Sequence, residues 1–132
     1  MVLYKFEDPE GKETFWHSSA HVLGETLENE YGVHLCHGPP TDSGFFYDSY
    51  TGKDIFHEKD YKNIEKAAQS VVKDKQAFHR LVMTKEEALE VFGNNPFKQQ
   101  LISNKIPDGG KVTAYKCGNL IDLCTGPHIK ST

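Results

Sequence analysis

Apolar residues recur at helical spacing from Trp16 to Glu30: Ala20, Val22, Leu23, Leu27 and then Tyr31. This spacing predicts a first helix, with Gly32 placed to end it. A second helix is expected from Asp60 to Phe78, where Tyr61, Ile64, Ala67, Ala68, Val71, Val72 and Phe78 form one side and Lys and Glu the other. Thr84-Lys-Glu-Glu87 has the form of a capping box and opens a third helix reaching Phe92, closed by Gly93-Asn-Asn-Pro. A short helix is expected over Phe97 to Ser103.

Between the helices the pattern is extended. Short extended pieces are expected at 2–8 and 13–16, on either side of a turn at Asp8-Pro9-Glu10-Gly11. Strands are expected at Val33 to Cys36, Phe45 to Tyr50, His79 to Met83, Val112 to Cys117 and Asn119 to Asp122. Asp108-Gly-Gly110 reads as a tight turn. Helices and strands alternate with both short turns and helical connections. The expected fold is α+β, a mainly antiparallel sheet packed with helices, in one domain spanning 1–132.

The composition narrows the class. The chain has 132 residues, 37% hydrophobic and 26% charged, enough for a core without staples. No apolar run reaches the roughly 18 residues of a membrane span, and the first residues lack a signal-peptide core. Cys36, Cys117 and Cys124 make an odd set of three thiols, which points to a reduced, cytosolic setting rather than a disulfide framework. Net charge is −4, with 14 Lys and one Arg, which argues against coating nucleic acid by charge alone. The charge is uneven: from Lys98 onward there are five Lys and two Asp, so that part can face an anion such as a strand end.

Two short spacings carry the candidate chemistry. His17-Ser-Ser-Ala-His21 puts two imidazoles on one helix face. Cys124-Thr-Gly-Pro-His128 puts a thiol and an imidazole across a Gly-Pro turn. Taken singly, the histidines can cap, pack or be solvated, and Cys124 can be a small core residue. The His pair has no Glu between its members, so it is not a zinc-protease helix. Asp122, two residues before Cys124, adds a carboxylate to the same turn, or merely bonds the turn backbone. If the pairs meet in the fold, they form a site able to bind a metal, move protons, or both. The loop Gly38-Pro-Pro-Thr-Asp-Ser-Gly44 is either a hairpin connection or a place where a ligand approaches the backbone. Lys98 is a helix-terminus lysine or an anion ligand, and Tyr115 a face aromatic.

Three stretches resemble the editing domain of threonyl-tRNA synthetase, in that family's motif order. They are Trp16-His-Ser-Ser-Ala-His-Val-Leu-Gly-Glu25, Gly38-Pro-Pro-Thr-Asp-Ser-Gly-Phe-Phe-Tyr-Asp48 and Tyr115-Lys-Cys-Gly-Asn-Leu-Ile-Asp-Leu-Cys-Thr-Gly-Pro-His128. The cytosolic eukaryotic-like form is the best match, and the resemblance runs from about Leu3 to the end. It implies hydrolysis of serine misattached to threonine tRNA, with His17 and Cys124 acting on water or substrate and His21 and His128 completing the catalytic set. It implies substrate binding by Asp122 (the ammonium group) and by Lys98 and Tyr115 (the adenosine end). The implied partners are the 3′ end of threonine tRNA and the remaining domains of a parent synthetase, whose ATP-binding core is outside this chain. The family's domain runs some tens of residues past the Cys-to-His motif, so the resemblance implies a C-terminally shortened piece. It implies no metal and no cofactor. Zinc held by His17, His21, Cys124 and His128, as in alanyl-type editing domains, is the alternative, and a tRNA-binding module without activity is the third reading.

Overall fold

The computed structural model describes all residues from Met1 to Thr132 as an α+β domain. Helix α1 (Pro9–Tyr31) is followed by β1 (His34–His37), β2 (Pro40–Thr41), β3 (Gly44–Phe45) and β4 (Asp48–Tyr50). Then come α2 (Glu58–Lys73), β5 (Phe78–Thr84), α3 (Lys85–Val91), α4 (Pro96–Lys105), β6 (Lys111–Cys117) and β7 (Leu120–Leu123).

Helix α1 starts a full two turns before the sequence pattern suggests, so the extended segment expected at 13–16 is helical. The reason is Pro9. At the first helical position its fixed φ and missing N–H carry no penalty, and Asp8 precedes it in extended conformation. The Asp8-Pro9-Glu10-Gly11 stretch is therefore a helix start, not a turn between strands. The far end follows expectation: Gly32 has φ of 62° and its N–H bonds the Glu28 carbonyl.

Helix α2 ends at Lys73, five residues short of the expected limit at Phe78. Phe78 belongs to β5, where it pairs with Cys117. The run from Phe78 to Thr84 is β-prone, and its pairing along the whole of β6 outweighs continuation of the helix.

All strand pairs are antiparallel, but they form three small sheets rather than one: β1 with β4, β2 with β3, and the order β5-β6-β7. The stretch expected as one strand from Phe45 to Tyr50 is broken between β3 and β4. Two apolar cores result. Ala20 and Leu27 of α1 pack with Val33, Leu35, Tyr47 and Leu120. Met83, Val112 and Ala114 of the three-stranded sheet pack with Ala88 of α3, Phe92 just past its end and Ile102 of α4. Asn95 bridges them, since it caps α4 through Phe97 and Lys98 N–H and donates its side-chain amide to the Leu35 carbonyl at 2.8 Å. No helix is long and apolar enough to cross a membrane.

Candidate active site

The two sequence pairs meet. Helix α1 presents His17 and His21 on one face, with ring centroids 5.1 Å apart. The turn after β7 brings His128 to 4.5 Å from the His17 ring and 4.2 Å from the His21 ring. Cys124 Sγ lies 3.1 Å from His128 Nε2. One side-chain ligand atom from each of these four residues falls within 4.8 Å of the others.

A cavity of about 680 Å³ opens on one side of this cluster. His17 and Cys124 line it together with Asp122, Tyr47 and Lys98. His21 is not on its wall and is only 1% exposed. The four residues thus divide into two that face the cavity and two that back them. His128 is held from behind by Phe78, stacked at 4.8 Å with 13° between the planes. Tyr115 meets the same imidazole edge-on at 4.6 Å. Tyr115 is therefore placed against His128 and not on the cavity wall.

The floor of the cavity is a buried ion cluster. Asp122, 3% exposed, receives Lys98 Nζ on Oδ1 and the Tyr47 hydroxyl on Oδ2. Lys98 Nζ also donates to the Tyr47 oxygen at 3.2 Å, and His21 Nε2 lies 3.5 Å from Asp122 Oδ2. Burial alone would raise the Asp122 pKa, but Lys98, His21 and the two hydrogen bonds outweigh it, so the carboxyl stays ionised below its ordinary range. Lys98 is itself 4% exposed. The lysine and the aspartate that the sequence offered as separate ligand contacts are thus partners of each other.

Tyr47 was no site candidate in the sequence, where it sits in an aromatic run indistinguishable from core. Its ring is seated because Gly24 and Gly38 lack side chains: a Cβ on Gly24 would approach the ring to 2.9 Å, and one on Gly38 to closer than that. The loop glycine Gly38 makes room for an aromatic ring of the protein itself. Burial, the Asp122 charge and the hydrogen bond to it all push the Tyr47 hydroxyl far up, so it is a donor at every working pH.

Burial also keeps the imidazoles neutral. It lowers His128 to about 3, helped by His21 and His17. It lowers His21 to about 4 against the pull of Asp122. His17 is lowered by burial and partly restored by Asp122 and Glu13. Burial pushes the Cys124 thiol up to about 12, so it is protonated near neutrality.

The shift of His21 fixes a stability window. The unfolded chain takes up a proton on this residue near 6.5, but the folded chain only near 4. Between these values the unfolded state binds more protons, so stability is full above 6.5 and falls with pH toward 4. The full shift corresponds to about 3 kcal/mol. Urea unfolding at stepped pH should show this slope, and a His21→Gln variant should reduce it, leaving the part that the lowered His128 and His17 contribute.

An α+β domain with a pocket lined by imidazole, thiol and carboxylate is the class that fold and site define. No protein-family model matches the chain. Single proteins do. The chain is 50% identical to the cytoplasmic threonine–tRNA ligase of Saccharomyces cerevisiae and 51% identical to that of Caenorhabditis elegans. It is 44% identical to the cytoplasmic threonine–tRNA ligase 1 of Homo sapiens. Each match takes in 100% of the chain but only 18–19% of the relative. The chain is homologous, end to end, to a segment of the threonine–tRNA ligases, and spans about a fifth of their length.

Proposed function

We propose that residues 1–132 belong to the editing domain of a cytoplasmic threonine–tRNA ligase, and that the domain hydrolyses serine from threonine tRNA. The observation that carries this reading is the convergence of His17 and Cys124, from opposite ends of the chain, on one cavity with an ionised carboxylate at its floor. The 3′ end of the tRNA is the partner, and the rest of the synthetase supplies the ligase chemistry.

The chemical need is plain. Serine and threonine differ by one methyl, which a binding pocket discriminates by only about 1–3 kcal/mol. A second, hydrolytic site removes the error. Ester hydrolysis needs an oriented water, a proton acceptor and support for the tetrahedral oxyanion. His17 is neutral, lines the cavity and makes no hydrogen bond within the protein, so its ring is free to take the water's proton. Cys124 lines the same cavity as a neutral thiol, within 4.8 Å of the His17 ring nitrogen. Asp122 is the carboxylate on the cavity wall and is the group for the substrate's ammonium, its charge shared with Lys98 and with the Tyr47 hydroxyl. Lys98 keeps that carboxylate ionised. Its adenosine contact is confined to the edge of Nζ left free by Asp122 and Tyr47. Tyr115 steadies His128.

The reaction on this reading uses no metal. Zinc is the second reading, and the four-residue cluster favours it, since His and Cys donors suit a tetrahedral zinc. The residues fit such an ion in kind, with His17, His21, Cys124 and His128 as its ligands and a polarised water as the chemistry supplied. One experiment addresses both readings. The purified chain should deacylate seryl-tRNA and spare threonyl-tRNA, at the same rate with and without a strong chelator. Equal hydrolysis of the two esters, or of neither, overturns the editing assignment. Loss on chelation with recovery on added zinc moves the chemistry to the metal.

A further inference from the structure

We propose that Ser18 is a positioning residue that fixes the tautomer of His128, and through it makes Cys124 a hydrogen-bond donor rather than an acceptor. The proposal rests on the editing reading only for its consequence on rate.

Ser18 lies between the two histidines of α1 and is fully buried. Its hydroxyl has three neighbours. The Thr14 carbonyl oxygen is at 2.8 Å, the Ile129 backbone N at 3.1 Å and His128 Nδ1 at 2.9 Å. A serine hydroxyl has one proton to donate and two lone pairs to accept with. The Thr14 carbonyl can only accept, so it takes the proton. The Ile129 N–H can only donate, so it fills one lone pair. The remaining lone pair faces His128 Nδ1, which must then carry a hydrogen.

A neutral imidazole has a single N–H. With Nδ1 protonated, Nε2 is bare and accepts from the Cys124 thiol at 3.1 Å. The chain of bonds runs in one direction, from Cys124 S–H to His128 Nε2, from Nδ1–H to Ser18 Oγ, and from Ser18 O–H to the Thr14 carbonyl. The opposite tautomer would turn Nε2–H onto the sulfur and favour a thiolate. Ser18 thereby keeps Cys124 a neutral thiol with its hydrogen engaged, and leaves His17 as the imidazole free to act on water.

The test reads the tautomer directly in the free chain, with no substrate. Nitrogen-15 correlation spectra of the His128 ring near neutral pH should show Nδ1 protonated and Nε2 bare. In Ser18→Ala the ring should move toward the Nε2–H form, and alkylation of Cys124 by iodoacetamide, followed by peptide mass spectrometry with Cys36 as internal reference, should speed up. Seryl-ester hydrolysis should fall by roughly 2- to 13-fold, the worth of one hydrogen bond. Ser18→Thr, which keeps the hydroxyl, should restore tautomer, thiol reactivity and rate. Nε2–H in the unmutated chain, or a Ser18→Ala variant with unchanged spectrum and alkylation rate, overturns the proposal. Absence of hydrolysis in a chain whose His128 carries Nδ1–H would instead overturn the editing reading and leave this one standing.

Discussion

His17→Ala should lower the seryl-ester hydrolysis rate by roughly 10²–10⁴-fold, the range for loss of a general base. The imidazole is the one member of the cluster that is neutral, faces the cavity and has no protein partner. The ring stands at the cavity wall, so the variant keeps its fold, and circular dichroism should be unchanged. Cys124→Ala should cost less, because its sulfur is already engaged with His128 Nε2 at 3.1 Å. The pH profile adds a second reading. Burial lowers the His17 pKa, so hydrolysis by the unmutated chain should lose rate only as pH falls below 6.5. Single-turnover deacylation over a pH series checks both. Near-normal rate in a folded His17→Ala variant would shift the base to His128 or to a ribose hydroxyl of the substrate.

Lys98→Met should be the most damaging change for stability. It leaves Asp122 ionised and buried with no cation on Oδ1. Breaking a buried pair from one side costs about 3–5 kcal/mol, which is a large share of a small domain's total. Urea or thermal unfolding should register that loss. The sign of its pH dependence is also fixed. Burial raises the Asp122 pKa once Lys98 no longer opposes it, so the carboxyl protonates sooner and the deficit shrinks as pH falls. Adding Asp122→Asn to Lys98→Met removes the orphaned charge and should recover much of the stability. A single variant as stable as the parent chain would mean that the ion pair carries no weight in the fold.

The sequence made the parts of the site legible but not their wiring. His17 and His21 could be placed on one face because helical spacing fixes direction, and Gly32 marks where that helix stops. Cys124 and His128 were legible as a turn because Gly126-Pro127 interrupts any regular element. The start of α1 is not legible because Pro9 can open a helix or shape a turn, and neighbouring residues do not decide which. The end of α2 was misjudged because no Gly or Pro punctuates it: Lys75 takes a φ of 49° without being glycine. The division into three sheets depends on where distant strands find partners. The Tyr47–Lys98–Asp122 cluster is the deepest case. Its members come from β4's approach, α4 and β7, and each alone looks like an ordinary aromatic, a solvated lysine or a turn aspartate. Only burial turns them into one unit. Ser18 was passed over for a related reason, since a small polar residue between two histidines carries no periodic signal.

The two apolar cores meet at the pocket, which is lined by Tyr47 of one and by Ile102 and Val112 of the other. Helix α1 and its imidazoles ride on one, while Cys124 follows β7, which joins both: Leu120 packs in the first core, Ile121 and Leu123 against the second. The spacing of these side chains is therefore set jointly by two packed cores, tied together by β7 and by contacts such as Asn95 to Leu35. A loosened side chain deep in either half, far from any reacting atom, changes that spacing before it melts anything. On the proposed reading, hydrolysis is then the first property such a lesion removes: the chain stays folded and loses the alignment of His17 with Cys124.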